Sequence, residues 1–255
     1  MIPVFLKYSF WALLLMISSH SFKAQDFDYN KSLSSVIYFS DSIYNELPDF
    51  LYVFTPIYSN PLQTKKIKPI SYEINCVSKK DFREQINIGL YLCSFNSINR
   101  DTVTSYNIFK DYDLTQIIKT SSKDYIGYLE ELVNVPFVLP PRLTQNGHQT
   151  DSRLGVDCAE LAIYGKRRQG FDIPYCGPLK IKSFLEPVDS LKRGTIIHFG
   201  HQVSVLYEDR GKIGILDKND LLIHAYKDKA EIIELGKTDL RYSDYELYKW
   251  KRDLY

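Results

Sequence analysis

The sequence has no excess of either charge: 32 basic and 31 acidic side chains leave a formal net charge of +1 over 255 residues. So balanced a chain offers no electrostatic footprint for nucleic acid or for an anionic membrane, and neither is expected as a partner. Long apolar runs are missing too. The run Phe10-Trp11-Ala12-Leu13-Leu14-Leu15-Met16-Ile17 falls far short of the roughly 20 residues that a membrane-spanning helix needs. With Lys7 before it and small polar residues up to Ala24, residues 1–24 read as a secretory signal peptide, the alternative being an uncleaved anchor. Once it is cleaved no membrane span remains, and the expected location is periplasmic or extracellular. The chain contains no repeat, no heptad pattern, no His-Glu-x-x-His and no paired-cysteine spacing, so neither a metal nor another cofactor is expected. A monomer is expected.

What is present is ordinary globular composition, 44% apolar and 25% charged, in a chain long enough for one large domain or two small ones. Tyrosine (20) and phenylalanine (14) are plentiful, which favours strands and a groove lined by rings. From 33 to 115 the pattern is β. Candidate strands are Ser35–Phe39, Leu51–Ile57, Ile70–Val77, Ile86–Cys93 and Ser105–Phe109, parted by the turn residues Asn60-Pro61, Lys79-Lys80-Asp81 and Asn99-Arg100-Asp101. This stretch reads as a small all-β accessory module, or as extra strands on one larger domain. Residues 121–255 form the second unit. Ser121-Ser122-Lys123-Asp124 opens a helix that stops at Val135-Pro136, and residues 142–153 are loop. After Gly194, short strands Thr195–Phe199, Gln202–Tyr207, Ile213–Asp217 and Leu221–Ala225 make a meander, with Glu231–Leu235 and Tyr245–Trp250 closing the sheet. Helices followed by an antiparallel sheet make this half α+β.

The chemistry centres on Gly155-Val156-Asp157-Cys158-Ala159-Glu160-Leu161, where a cysteine falls in the first turn of a helix that ends at Gly170. Unpaired N–H groups and the helix dipole at such a point favour an anion, which can lower a thiol's pKa from about 8.5. Cys158 is therefore a candidate nucleophile; the competing reading is a small apolar core residue. A thiol nucleophile also needs a base within hydrogen-bond reach and a group that holds the base in one tautomer. Only five histidines exist, and His20 leaves with the signal. His201 begins one strand of the meander and His224 lies near the end of another, so neighbouring strands could bring both imidazoles to Cys158. Each could equally be a structural histidine, and His198 is a rival base whose face depends on strand register. Export places the cysteines in an oxidising compartment. With Cys158 free, Cys76 and Cys93 in neighbouring strand-like runs are expected to pair, leaving Cys176 as a spare near the site.

These residues resemble the NlpC-type cysteine peptidases of bacterial cell walls. Asp157-Cys158-Ala159-Glu160-Leu161 is similar to that family's Asp-Cys-Ser-Gly-Leu. Gly194-Thr195-Ile196-Ile197-His198-Phe199, then His201 and Val203-Ser204-Val205-Leu206-Tyr207, is similar to its Gly-Asp-Leu-Val-Phe-Phe strand and the His-Val-Gly-Ile-Tyr strand after it. Ile223-His224-Ala225 matches its Ile-His-Ala. The likeness covers roughly 122–252 and departs at Pro136-Phe137, where the family often has Pro-Tyr, and at Thr195, where it has Asp. His201 to His224 is a longer span than the family's, which an extra hairpin at Ile213–Asp217 would absorb. The resemblance implies a papain-like fold and a catalytic triad of Cys158 as nucleophile, His201 as base and His224 as the orienting residue. It implies hydrolysis of an amide bond in peptidoglycan stem peptides, with Asp157 and Phe137 as candidate substrate-binding residues; for so acidic a substrate Arg153, with Arg142 and the basic cluster Lys166-Arg167-Arg168, is a further candidate. Within enzymes the alternative is an amidase or acyltransferase of the same fold; outside them it is an inactive wall-binding protein.

Overall fold

The computed structural model describes residues 33–57, 71–104, 111–139, 143–144 and 147–254. The signal peptide, the expected strand Ser105–Phe109 and Arg142 lie outside them. In chain order the elements are β1 (Leu33–Tyr38), α1 (Asp41–Glu46), β2 (Phe50–Ile57), β3 (Ser71–Ser78), α2 (Lys79–Gln85), β4 (Gly89–Ser94), β5 (Thr102–Thr104) and β6 (Leu114–Lys119). Then follow α3 (Tyr125–Glu130), β7 (Leu143–Thr144), β8 (Gly147–His148), α4 (Cys158–Arg168) and α5 (Pro178–Ile181). The last strands are β9 (Leu185–Pro187), β10 (Ile196–His198), β11 (Val203–Glu208), β12 (Leu221–Tyr226), β13 (Lys229–Glu234) and β14 (Glu246–Trp250). The class is α+β, with two six-stranded, mainly antiparallel sheets ordered β1-β6-β4-β2-β3-β5 and β13-β12-β11-β10-β14-β9. Among the described residues no helix is long and apolar enough to cross a membrane.

The N-terminal sheet is not all-β. Ser40 caps α1 and Ser78 caps α2, each side chain accepting a backbone N–H three residues on. The cap Ser78 with Asp81 turns the expected Lys79-Lys80-Asp81 turn into a helix, whose Phe82 plugs the core beneath. β6 pairs with β1 in parallel, from Leu33–Leu114 to Tyr38–Ile118. No short-range pattern marks a pairing over so long a separation. In the second sheet the meander holds, with β10, β11, β12 and β13 adjacent and antiparallel. The expected strand Ile213–Asp217, and with it the extra hairpin, is absent. Carboxylates hold that stretch as a loop instead: Asp220 accepts the N–H groups of Arg210, Gly211 and Asp217, Asp217 accepts those of Lys212 and Asn219, and Asp209 accepts that of Gly214. Donors taken by side chains cannot feed a ladder.

The main core lies between α3, α4 and the inner face of the second sheet, with Leu129, Leu161, Ile163, Val203, Val205 and Ile223 all fully buried. Gly165 lets the helices approach: a Cβ there would meet Tyr125 and Leu129 at under 3 Å. Leu206, Leu222, Leu235 and Leu240 form a separate core on the sheet's other face. Alternation along each strand produces this division, because successive side chains point to opposite faces.

Two devices join the halves. Residues 133–138 act as an extended rung between the sheets: the Leu90 N–H donates to Val133 O, Asn134 N–H to Ala230 O, Ala230 N–H to Val135 O and Phe137 N–H to Asp228 O. The second device is Glu131, buried at 2% exposure and met by Arg153, Arg168, Tyr38 and Tyr164. Arg153 also donates to Gln116 Oε1 (3.3 Å) on β6, and Gln116 Nε2 donates back to Ser152 O (2.9 Å).

Cys76 and Cys93 cannot pair as expected. β2 lies between their strands, with Tyr52 opposite Cys76 and Val53 opposite Cys93, so the two thiols sit two strands apart on opposite faces. Two strand spacings are roughly 9.6 Å, beyond the reach of a disulfide. All four cysteines are free. Thiol counting on the unfolded, unreduced protein should therefore find four; a count of two would restore a bridge. Glu131→Ala should destabilise by about 3–5 kcal/mol, because Arg153 is left buried without its anion. Urea unfolding reads this directly, and a loss under ~1 kcal/mol would show the joint to be dispensable.

Candidate functional site

Cys158 is the first residue of α4, and the sequence before it forms a complete cap. Asp157 is extended (φ −103°) and its carboxylate accepts the Glu160 N–H at 2.8 Å, while Glu160 reaches back to the Asp157 N–H at 3.1 Å. This reciprocal pair satisfies two of the helix's open donors. Glu160 is itself buried and takes two more groups. Thr150 Oγ1 donates to Oε2 at 2.8 Å, and His148 Nε2 lies 3.2 Å from Oε1. His148 Nδ1 accepts the Thr150 N–H at 3.3 Å, so its proton sits on Nε2 and points at Glu160. Tyr175 stacks on the His148 ring at 4.1 Å and donates to Asp151 at 2.7 Å. The sequence does signal Glu160, by the Asp-x-x-Glu spacing of a capping box. Nothing in it signals His148, which lies in a stretch read as loop.

The N–H of Val203 at the start of β11, and those of Ala159 and Cys158 at the start of α4, favour the Cys158 anion. Here β11 and β12 part. Their register runs through Leu206–Leu222 and Val205–Ile223, but beyond it the carboxamide of Gln202 crosses the gap, donating to Ala225 O (3.1 Å) and Val203 O (3.2 Å). Burial, and then the neighbouring Asp157 carboxylate, push the Cys158 thiol up to about 12, outweighing those three donors. The helix start therefore does not yield a thiolate at neutral pH: Cys158 is 5% exposed and the loss of water dominates.

The structure does not bring the expected triad together. His201 is exposed, in a bend after Gly200 (φ +73°), with its own N–H bonded to Phe199 O. His224 is 1% exposed; its Nε2 lies 3.7 Å from Glu231 Oε1 on the neighbouring strand and its Nδ1 has no partner. His198 is equally buried, its Nε2 2.8 Å from Pro178 O and its Nδ1 without a partner. Because a carbonyl only accepts, the His198 proton is on Nε2; burial holds this imidazole below the usual histidine range. Among the described residues no hydrogen bond or ion pair joins Cys158 to any histidine.

The candidate substrate residues are committed within the protein. Asp157 caps α4. Phe137 is half-buried against the main core and bridges to Val156, and Arg153 is held by Glu131. Of the basic cluster, Arg167 meets Asp151 and Arg168 meets Glu131, while Lys166 lies over the rings of Tyr125 and Phe171. Cys176 packs on the core that contains Cys158. Among the described residues no three His, Cys, Asp or Glu side chains converge as a metal ion requires. The arrangement is thus an α+β domain with a capped, helix-start cysteine against an antiparallel sheet. No family model, curated protein or solved structure matches the chain.

Asp157 gives the cap a pH dependence. Burial, and then the charge of Glu160, raise its carboxyl to about 6, against the N–H donors of Glu160 and Ala159. The folded state thus binds this proton more tightly than the unfolded chain, whose value is about 3.9. The resulting stability is full below about pH 4 and is lost as pH rises through about 6. Asp157→Asn keeps the capping oxygen and removes the loss, so at pH 7 it should be more stable than the parent by on the order of 1–3 kcal/mol and flatter between pH 4 and 7. Urea midpoints across that range test it; a variant less stable than the parent at pH 7 would rule the account out.

Proposed function

We propose that the C-terminal half is a papain-like cysteine hydrolase, exported, which cuts an amide bond in peptidoglycan stem peptides with Cys158 as its nucleophile. The observation behind this reading is the position of the sulfur, at the first residue of a capped helix, where backbone N–H groups favour an anion. Such donors, fixed beside a nucleophile, are what a developing oxyanion needs. The thiolate adds to the amide carbonyl carbon, His201 takes the thiol proton and passes it to the leaving amine, and water then releases the acyl group. His224 orients the base, itself steadied by Glu231. The substrate class, with the bond between D-glutamate and the following diamino acid, comes from the resemblance to NlpC-type peptidases. In the structure the thiol is protonated and His201 lies in solvent. Turnover requires the bend at Gly200 to carry His201 inward.

A second reading is supported by Gln202. This residue, not a histidine, directly precedes the Val203 N–H that faces the sulfur, and its carboxamide cannot accept the thiol proton as a base. In that reading the domain binds a wall peptide without cutting it.

One set of incubations separates the two. Purified stem tri- and tetrapeptides are offered to the mature protein and the new amine is identified by mass. The hydrolase reading expects cleavage that disappears in Cys158→Ser and falls about 10³-fold or more in His201→Ala, with a much smaller loss in His198→Ala. Full activity in Cys158→Ser would sink it. No cleavage by the parent, with cleavage appearing in Gln202→His, would establish the binding reading instead.

A further inference from the structure

A cavity of about 390 Å³ lies between the two halves, away from Cys158, and the hydrolase reading makes no use of it. It opens because β2 and β4 part. They pair only at Tyr52–Ser94, Val53–Cys93 and Phe54–Leu92, although β2 runs on to Ile57 and β4 begins at Gly89. Close packing between them is prevented by the turn at Val133–Asn134, which takes the Leu90 N–H and lies against Gly89, where a Cβ would meet Asn134 at 2.8 Å. The walls are largely apolar, with Phe54 and Leu92 from the sheet facing Pro136 and Leu154 from the other half. The volume is that of a site for a small organic ligand.

Two cations line it, and they differ. Arg153 is neutralised by Glu131 through both Nε and Nη2, at 3.2 and 3.0 Å. Lys229 is half-buried and donates only to Asn134 Oδ1, at 3.3 Å, with no carboxylate in ion-pair range among the described residues. Glu231 feels the Lys229 charge, but its carboxylate lies against His224. An ammonium ion at the wall of an apolar cavity, hydrogen-bonded to a neutral acceptor and without a carboxylate in ion-pair range among the described residues, can take an anionic partner. A ligand with an apolar body and a single anionic head would supply what is missing.

We propose that this cavity binds an apolar monocarboxylate, a medium-chain fatty or arylalkyl acid, with its carboxylate on Lys229 and its body between Phe54, Leu92 and Leu154. Calorimetric titration of the whole protein with octanoate and 3-phenylpropionate, against octanol and 3-phenylpropanol, tests this. The expected result is one site per chain, with the acids bound about tenfold or more tightly than the matching alcohols. Lys229→Gln should bring the acids down to the level of the alcohols and leave the alcohols unchanged, which also reports that the variant is folded. Lys229→Arg should keep the preference, and Leu154→Trp, which fills the cavity, should lose both classes. Equal binding of acid and alcohol by the parent, an acid preference that survives Lys229→Gln, or no binding of either would each overturn the proposal.

Discussion

A carboxylate cannot remain uncompensated inside a protein, and the burial of Glu131 is the constraint from which much of this structure follows. Its oxygens take donors from four places in the chain: Tyr38 at the end of β1, Arg153 in the loop before the cysteine, and Tyr164 and Arg168 on α4. Burial alone would raise its pKa, but the Tyr164 hydrogen bond and the two guanidinium charges outweigh it and hold the group below the usual carboxylate range. Moving Arg153 away would strand charge in the interior, at a cost of several kcal/mol. The N-terminal sheet, the helix pair and the approach to Cys158 are therefore fixed to one another through one residue.

That fixed joint has consequences on both sides. Towards the site, it sets the chain from Arg153 to Val156, which leads directly into the Asp157–Glu160 cap and so determines where Cys158 starts its helix. Towards the N-terminal sheet, residues 133–138 bond to both sheets and hold β4 away from the end of β2, and the cavity is the space left over. Neither feature is local. The same rung that aligns Val156 through Pro136 O also prevents the sheet from closing.

At the cysteine, two effects compete and the larger is clear. A helix start with three N–H donors favours a thiolate, whereas near-complete burial beside Asp157 opposes it, and the thiol ends near 12. Burial, not the helix start, therefore decides the state of the sulfur. His198 and His224, both buried, each leave Nδ1 without a partner among the described residues.

The amino-acid sequence by itself determined what depends on neighbours in the chain. Alternation of apolar residues marked the meander from Thr195 onward, and Asp157-Cys158 with its following apolar positions marked the capped helix. Ser78-x-x-Asp81 is a cap in the sequence as well, but the same residues also spell a turn. What depends on distant partners was not legible. Nothing local distinguishes Cys93, buried on one face of the sheet, from Cys76, exposed on the other, because the strand between them is set by pairing. The parallel match of β1 with β6, the capture of Arg153 by Glu131 and the link from His148 to Glu160 each join residues that no periodicity relates. That His201 lies in solvent while His198 is buried turns on one bend at Gly200, and the place of the Gln202 carboxamide turns on where β11 leaves β12. Strand register is decided by the packing of whole faces, so only the tertiary structure could supply it.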